Sequence, residues 1–487
     1  MSVSETALRW EPVIGLEVHV QLNTASKIFC ACANRFGAPP NTLTCPVCLG
    51  LPGALPVLNR AAVDKAMRAA LGLHGELHER SVFARKNYFY PDLPKGYQIS
   101  QFDQPLAEHG WLEIFPGEPE RRRRIGITRL HLEEDAGKNI HEGLPGSAAH
   151  SYVDLNRAGV PLIEIVSEPD LRSPAEAFDY LTRLKQIMLF LEVSDCNMEE
   201  GSLRCDANVS LRPLGQAQFG TKVEVKNLNS FRYLQRALEF EIGRQAEVLD
   251  AAGRIRQETR LFHVAEGRTA PMRSKEQAHD YRYFPEPDLA PLMLSAAWRA
   301  QVEAALPELP QALRERLQAR YGLSAYDAQL LSATPALAAY FEEAAATSPN
   351  PKAVANWIMG DLMAHAKAAN AVPEALGLPP KHIAELVALI DAGAISGKMA
   401  KEVFAAMLAQ KQAPAQLVEA LGLKQISDTA ALERLVEEVV ASHPGQAAQY
   451  RAGKSALLAF FVGQVMKASR GQAAPALVNQ LLQRKLG

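Results

Sequence analysis

The chain has 487 residues, with 52 Lys and Arg against 54 Asp and Glu, which gives a formal net charge of −2. This balance excludes a protein that is basic throughout, such as a histone-like nucleic-acid binder, although it leaves room for a local basic face. Apolar residues at 48% and charged residues at 22% exclude a disordered chain, and at about 150 residues per domain the length predicts about three domains.

The cysteine content and the start of the chain indicate a reducing compartment. Six cysteines are too few for a disulfide scaffold in a chain of this length. Met1–Trp10 lacks the basic-then-apolar order of a signal peptide, and the densest apolar run, Ala456–Met466, is far shorter than the ~20 residues that span a bilayer. We therefore expect a cytoplasmic protein with no membrane partner.

Before about residue 290, short segments of alternating polar and apolar residues recur among Gly and Pro turns. This period of two predicts strands, namely Val13–Leu22, Ile125–Asp135, Pro161–Ser167, Leu203–Arg212 and Thr221–Lys226. Longer segments predict the helices Pro56–Leu73, Ser173–Leu191 with Ser173 as its N-cap, and Phe231–Leu249. The pattern predicts an α+β fold with a mainly antiparallel sheet.

After about Leu292 the strand signals vanish, and Ala-rich helical stretches follow that are separated by prolines. The interpretation is an N-terminal domain over residues 1–294, an all-helical middle domain over 295–412 and a small helical tail domain over 413–487. The tail alone carries a net charge of +3. A mildly basic tail favours a nucleic-acid contact made by shape and a few charges rather than by a broad electrostatic field.

Four cysteines form two close pairs, Cys30-x-Cys32 and Cys45-x-x-Cys48. Two such pairs supply the four thiolates of a tetrahedral zinc ion, and a site closed by four cysteines is structural because it leaves no open position. The alternatives are four buried small side chains or a redox CxxC motif.

Carboxylates recur on the polar faces of the predicted strands. Glu17 and His19 share one face of the first strand, a compact metal-binding pair unless that strand is an exposed edge. In the next strand Glu133 lies with the polar residues, whereas Glu134 lies on the otherwise apolar face, which makes Glu134 the more unusual residue and the better functional candidate. The alternative is a solvated acidic turn.

Two later strands mix acids with bases. Arg204, Asp206 and Asn208 share a face, and so do Lys222, Glu224 and Lys226. A concave sheet with such residues could hold a magnesium–phosphate group, although a single strand of this kind is more often merely solvated. Between Arg85 and Asp92, cations alternate with aromatic residues, which suits a nucleotide or a single-stranded nucleic-acid end; the alternative is an aromatic cluster at the edge of the core.

Taken together, these segments resemble the B-subunit family of the aspartyl/glutamyl-tRNA amidotransferases. The matching segments extend over nearly the whole chain: Gly15–Leu22, Cys45–Pro56, Arg85–Gln101, Leu132–Lys138, Val153–Arg157, Glu164–Asp170, Asn197–Ser210, Lys226–Arg232, Asp280–Leu289, Phe461–Ser469 and Asn479–Gln483. A phosphate-binding P-loop and a Cys/His nucleophile pair are missing from the sequence.

The resemblance implies a cradle-like α+β domain, a helical domain and a tail that contacts the body of tRNA. It implies an ATP- and Mg²⁺-dependent ligase that phosphorylates the side-chain carboxylate of Glu-tRNA(Gln) or Asp-tRNA(Asn). Ammonia would come from a partner glutaminase, the amidase (A-type) subunit, in a heterotrimer with a small C-type subunit. Which tRNA is used stays open.

The resemblance also implies roles for individual residues. The family's metal and phosphate site is carried over onto Glu17, His19, Glu134, Asp206 and Glu224, with magnesium on the first three and Lys86 close by. We expect Lys86, Arg204 and Lys226 to bind the phosphates of the nucleotide, and zinc to bind Cys30, Cys32, Cys45 and Cys48. The choice between Glu133 and Glu134 stays open. Two other interpretations are a tRNA-binding scaffold without chemistry and a ligase that acts on a small free acid.

Overall fold

Alternating sequence segments form the strands of the N-terminal part, and Ala-rich segments form helices in the C-terminal part. The computed structural model describes residues 9–115, 122–141, 143–147, 149–272, 281–423, 429–469 and 472–487. The chain divides into two compact units, Met1–Ala312 and Leu313–Gly487. The chain before Arg9, and Asp280 in one of the matching segments, lie outside the described residues.

The five predicted strands begin and end within three residues of the predicted positions, and eleven further strands bring the described strands of the first unit to sixteen. They are β1 (Trp10–Gln21), β2 (Glu76–Leu77), β3 (Arg80–Ser81), β4 (Ala84–Asn87), β5 (Tyr97–Ser100), β6 (Ala107–Ile114), β7 (Arg123–Glu134), β8 (Lys138–Ile140), β9 (Tyr152–Asp154), β10 (Pro161–Ser167), β11 (Leu203–Pro213), β12 (Val223–Lys226), β13 (Thr259–His263), β14 (Arg268–Pro271), β15 (Phe284–Pro285) and β16 (Leu292–Met293).

One 12-stranded sheet organises this unit. Its order is β14-β13-β12-β11-β1-β10-β7-β5-β4-β15, and β6 extends from β7 and pairs with β2. Among the described strand pairs of this sheet, β12 and β13 run parallel and the rest are antiparallel. The predicted α+β fold with a mainly antiparallel sheet is therefore confirmed. The strand nearest the start of the chain, β1, lies in the interior of the sheet.

Helices cover one face of the sheet, and the described helices of the first unit are α1 (Arg60–Gly72), α2 (Pro174–Phe190), α3 (Phe231–Asp250) and α4 (Ala296–Ala304). On β1, Leu16, Val18 and Val20 are at most 1% exposed and belong to the core between the sheet and these helices. Strand alternation then turns Glu17 and His19 to the other face. The apolar half of the pattern thus builds the core and leaves the polar half for a site.

The helix starts follow their caps. The hydroxyl of Ser173 accepts a hydrogen bond from the backbone N–H of Glu176 at 3.2 Å, and Pro174 occupies the first turn, as predicted. Helix α1 starts later than the predicted Pro56, because the side chain of Asn59 caps it by accepting from the N–H of Ala61 at 2.9 Å. The residues from Pro56 to Leu58 therefore lie before the helix, and Asn59 has an extended backbone.

The helices that follow are α5 (Pro310–Tyr321), α6 (Ala325–Leu331), α7 (Pro335–Ala346), α8 (Pro351–Trp357), α9 (Met363–Ala368), α10 (Pro380–Asp391), α11 (Gly397–Gln410), α12 (Pro414–Ala420), α13 (Thr429–Ser442), α14 (Pro444–Arg451), α15 (Leu457–Ala468) and α16 (Pro475–Leu486). A π-helical turn, Ile358–Leu362, joins α8 to α9. Helices α13 to α16 share a core of their own around Leu432, Phe461 and Leu482. In the described parts of the chain, helices with the length and apolarity to cross a membrane are lacking.

Candidate functional site

The polar face of the sheet carries a continuous row of charged side chains, because residues that pair directly across neighbouring strands point to the same face. His19 on β1 pairs with Glu164 on one side and with Arg204 on the other. Glu17 pairs with Asp206, and Glu164 pairs with His131. The register thereby assembles groups that are far apart in sequence.

Two carboxylate–imidazole groups lie at the centre of this face. Each has three potential ligand atoms within 4.8 Å of one another: Glu17, His19 and Glu164 in one group, and His131, Glu133 and Glu164 in the other. One oxygen of Glu164 lies 3.4 Å from Nε2 of His19 and 3.4 Å from Nε2 of His131. Glu164 is shared by both groups, and we call the five residues the carboxylate–imidazole cluster.

Electrostatic coupling sets the protonation of this cluster. Burial lowers the pKa of His131, but the charge of Glu164 and hydrogen bonds to Glu133 and Glu164 outweigh it and raise that pKa to about 9. Burial, Glu164 and Asp206 raise the pKa of Glu17. Although burial opposes its charge, Glu164 has a lowered pKa because both imidazoles favour its ionised form. Against the effect of burial, the neighbouring carboxylates also raise the pKa of His19, so the acids and the imidazoles of the cluster favour each other's charged forms.

The donors of the cluster fit a divalent cation. Carboxylate oxygens are the preferred ligands of hard cations such as Mg²⁺, and an imidazole in the set also suits Mn²⁺. Buried carboxylates that repel one another are stabilised by such a cation. The residues present therefore match the expected metal, and both Glu17 and His19 are among them, as the sequence predicts.

A second acidic group lies on β11 and β12, on the far side of β1 from His131. The Nζ atom of Lys226 lies 2.7 Å from Asp206 and 2.9 Å from Glu224. Burial opposes the charge of Glu224, but a hydrogen bond from Thr259 and the charge of Lys226 give it a lowered pKa. Alternation predicts that Glu224 and Lys226 share a face, and the pairing of β11 with β12 brings Asp206 to them.

Arg204 is held by an acid that sequence reasoning did not choose. Its Nη2 atom lies 2.8 Å from Asp135, which also accepts a hydrogen bond from Gln21 at 2.7 Å and lies 3.7 Å from Arg157. Asp135 is 4% exposed. Burial raises its pKa, but the two guanidinium groups outweigh that effect and lower it. Arg204 is thus fixed beside the cluster by a buried carboxylate.

Lys86 lies at the other end of the row of charged side chains on the polar face. It pairs with Gln98, two residues before Ser100, and Ser100 pairs with Glu133. Strand alternation therefore places Lys86 on the same face as the cluster. Its Nζ atom lies 4.8 Å from the centre of the Tyr281 ring. Aromatic rings continue from there to a parallel stack, with ring centres 4.0 Å apart, between Phe102 and Tyr283.

Glu134 does not join the cluster, and the choice between Glu133 and Glu134 as a metal ligand stays a prediction. Glu134 points to the apolar face, where one of its oxygens contacts Nζ of Lys95 and accepts the N–H of Ile99 at 2.9 Å. Glu133 instead accepts from the Ser100 hydroxyl at 3.1 Å and lies in the cluster. The unusual carboxylate on an apolar face turns out to be one half of a buried ion pair.

Three members of the cluster were not chosen from the sequence: His131, Glu133 and Glu164. Glu164 is a single acid in the otherwise apolar strand Pro161–Ser167, and that isolation was the available signal. A lone carboxylate in a buried strand needs a partner, but its partners lie on strands that only the sheet order brings to it.

The four cysteines converge as their spacing predicts. The Sγ atoms of Cys30, Cys32, Cys45 and Cys48 all lie within 4.8 Å of one another. Hydrogen bonding from Cys30 lowers the pKa of Cys48 to about 4, against burial, while the same coupling raises the pKa of Cys30. Four thiols that converge without disulfides fit a tetrahedral zinc ion.

Comparisons with known proteins agree with this architecture. The GatB/GatE catalytic domain matches residues 12–300, and the GatB domain matches residues 339–486. The B subunit of the aspartyl/glutamyl-tRNA(Asn/Gln) amidotransferase of Solidesulfovibrio magneticus is 56% identical over 479 residues, which is 98% of this chain and 100% of that protein. The proteins of the same name from Geobacter sp. strain M21 and Geotalea uraniireducens are 54% and 55% identical, again over 98% of this chain and 100% of theirs.

These matches cover the sheet that carries the cluster as well as the helical part, and they exceed half of the chain by a wide margin. The resemblance inferred from the sequence is therefore confirmed. The chain belongs to the B-subunit family of the aspartyl/glutamyl-tRNA amidotransferases.

Proposed function

We propose that this chain catalyses amide formation on an aminoacyl-tRNA, converting Glu-tRNA(Gln) to Gln-tRNA(Gln), Asp-tRNA(Asn) to Asn-tRNA(Asn), or both. The relatives are named as tRNA(Asn/Gln) amidotransferase subunits. The observation in this chain that best supports chemistry, rather than a scaffold, is the carboxylate–imidazole cluster on the polar face. A protein that only binds RNA has no use for three buried or half-buried carboxylates that converge there.

The proposed reaction uses ATP because a carboxylate has no leaving group that ammonia can displace. The side-chain carboxylate of the charged amino acid attacks the γ-phosphorus of ATP, and the bond to the leaving ADP breaks. Ammonia then attacks the acyl carbon, the bond to the phosphate breaks, and the amide, inorganic phosphate and ADP are the products. Both steps accumulate negative charge on phosphate oxygens.

Residues of the polar face supply positive charge for these steps. Lys86, Arg204 and Lys226 are the groups that we expect to contact the phosphates and orient them for attack. A divalent cation, for which we propose Mg²⁺, would be held by the carboxylate–imidazole cluster and would neutralise charge on the phosphate oxygens. In place of Glu134, we propose Glu133 and Glu164 as ligands, together with Glu17 and His19.

Asp206 and Glu224 have a positioning role in this proposal. Both accept from Lys226 at 2.7–2.9 Å, so they hold its ammonium group in one place beside the cluster. A fixed cation costs no reorganisation when charge develops during the reaction.

Partner chains complete the proposed enzyme. Because the sequence lacks a nucleophile pair for glutamine hydrolysis, ammonia would come from the amidase (A-type) subunit, with a small C-type subunit in a cytoplasmic heterotrimer. We also propose the three-domain division at residues 294 and 412, zinc as a structural ion on the four cysteines, and the basic tail as a contact for the tRNA body.

The test is an amidation assay with the complete heterotrimer, charged tRNA, ATP, Mg²⁺ and ammonium, in which amino acids released from the tRNA are analysed. Glu164→Gln should abolish amide formation and ADP release, while the Kd for charged tRNA stays close to that of the wild type. Glu199→Gln, which changes an exposed acid outside the cluster, is the matched control and should retain full activity.

Two results would contradict the proposal. Normal amidation by the Glu164→Gln enzyme would remove the cluster from the mechanism. ATP-dependent amidation of free glutamate at the same rate as charged tRNA would show that the enzyme is a ligase for small acids instead.

A further inference from the structure

A groove of about 390 Å³ lies beside helix α1, where it passes the end of helix α4. Arg60, Asp64, Lys65 and Arg68 of α1 line one side, and Gln301 and Ala305 are among the residues of the other side. Helix α1 covers the apolar face of the sheet, so the groove is separate from the carboxylate–imidazole cluster on the polar face.

The cations of this groove outnumber the acid. Asp64 accepts a hydrogen bond from the indole N–H of Trp298 at 2.6 Å, and the guanidinium of Arg60 lies 4.8 Å from the centre of the same indole. Burial, together with the charge of Arg68, lowers the pKa of Lys65. Because three cations face one acid, the lining carries an excess of positive charge in a chain whose net charge is −2.

The three cations have uncharged partners. Lys65 donates to the carbonyl of Glu192 at 2.7 Å, and Arg68 reaches the carbonyls of Leu191 and Ala305 only at 3.4 and 3.5 Å. Within the described part of the chain, Arg60, Lys65 and Arg68 form no ion pair with a carboxylate. Their charges are thus available to an anion from outside, and long contacts such as those of Arg68 are easily exchanged for charge-assisted ones.

The spacing along α1 indicates what kind of anion fits. Arg60, Asp64 and Arg68 follow at intervals of four residues and share one face of the helix, with Lys65 beside them. At 1.5 Å per residue, Arg60 and Arg68 are about 12 Å apart along the axis. A row of this length matches successive phosphates of a polymer better than a single phosphate, and guanidinium groups bind phosphate oxygens in pairs.

We propose that this groove binds the phosphodiester backbone of an RNA strand, and that it holds part of the tRNA body away from the reacting 3′ end. The inference rests on the proposed function for the identity of the RNA. Contacts of this kind position the RNA without reading its sequence. Part of the tRNA-binding surface then lies on the first unit, in addition to the basic tail.

The test compares the complete heterotrimer with a variant that carries Arg60→Gln and Arg68→Gln. The KM for charged tRNA should rise roughly tenfold at physiological salt. The slope of log KM against log salt concentration should fall by roughly 0.7–0.9 for each cation removed. The kcat at saturating tRNA and the KM for ATP should stay unchanged. Arg60→Lys with Arg68→Lys should recover most of the loss, because the charge is kept.

The matched control removes the same charge elsewhere on the first unit. Arg254→Gln with Arg256→Gln changes two exposed arginines and should leave the KM for tRNA and its salt slope unchanged. If the double glutamine variant of the groove unfolds, Lys65→Gln alone replaces it, with about half of the change in salt slope as the expected result.

The outcomes separate this inference from the proposed function. If the groove variant amidates tRNA with an unchanged KM for tRNA, RNA binding in the groove is ruled out and the proposed function stands. A raised KM for ATP or weaker inhibition by inorganic phosphate, with an unchanged KM for tRNA, overturns it in favour of a small phosphate ligand. A wild-type heterotrimer that fails to amidate charged tRNA overturns the proposed function itself.

Discussion

Glu133 and Glu134 are adjacent in sequence, but their carboxylates lie on opposite faces of strand β7. Glu133 faces His131 and Glu164 within the cluster, whereas Glu134 contacts Lys95 on the apolar side. The same residue type therefore has two different roles at neighbouring positions, a candidate metal ligand and half of a buried ion pair. Substitution of each by glutamine should separate them.

We expect Glu133→Gln to abolish amide formation with a small effect on stability. Glu134→Gln should lower the free energy of unfolding by about 3–5 kcal/mol, because it leaves the largely buried Lys95 without a counter-charge. Urea unfolding and the amidation assay measure the two effects. Adding Lys95→Met to Glu134→Gln should recover part of the lost stability, and an equal loss of metal affinity in both single variants would contradict the assignment.

The cysteine cluster predicts one bound zinc ion per chain. Cys45→Ser breaks the four-ligand site and should remove most of the zinc, measured by elemental analysis of the purified protein. At free zinc about 1,000-fold above its Kd, the ion contributes about 4 kcal/mol to stability, and this contribution should disappear. Cys196→Ala, which changes a buried thiol outside the cluster, should keep the zinc; zinc retained by Cys45→Ser would refute the site.

Asp135 predicts a pH dependence of stability. Its pKa is lowered in the folded state because Arg204 and Arg157 outweigh the effect of burial. The contribution of Asp135 to the free energy of unfolding is therefore fully present above its unfolded-state pKa of about 3.9. It is lost as the pH falls through its lower pKa in the folded state. In EDTA, the free energy of unfolding should fall less steeply below about pH 4 in Asp135→Asn than in wild type. Asp103→Asn, at an exposed position, should follow the wild-type curve, and an unaltered slope in Asp135→Asn would contradict the prediction.

The N-cap of α2 gives a local stability test. Ser173→Ala removes the acceptor for the N–H of Glu176 and should cost about 1 kcal/mol in the free energy of unfolding. Thr182→Ala also removes a hydroxyl from this helix, but that hydroxyl only donates to the carbonyl of Phe178, and its loss should change stability by less than about 0.5 kcal/mol. Equal losses of unfolding free energy in both variants would show that the cap stabilises the helix no more than the Thr182 hydroxyl does.

Local sequence patterns predicted much of this architecture because they reflect local rules. Strand alternation identified β1, β7, β10 and β11 and the face that each residue occupies. A proline after a serine identified the start of α2, and the spacing of the cysteines predicted their convergence. Each of these signals depends on residues that are close together along the chain.

Pairing between distant strands could not be read in the same way. Glu164 is a ligand candidate only because β10 lies between β1 and β7, which brings His19 and His131 to its two sides. The period of each strand defines a face but not a neighbour. For the same reason, strand alternation places Glu134 on the apolar face but does not show that Lys95, from the connection between β4 and β5, contacts it there.

The order of strands also has a consequence for synthesis of the chain on the ribosome. The interior strand β1 has no partner until β10 and β11 are translated much later, and β4, which pairs with β5 on one side, gains its second partner only from β15, where Phe284 pairs with Arg85. Early strands thus remain with unpaired edges until nearly the whole first unit has emerged, and such edges invite aggregation. Folding of the sheet is therefore a late and non-local event, and nascent chains that stop before residue 284 would expose the strands that the finished protein keeps paired.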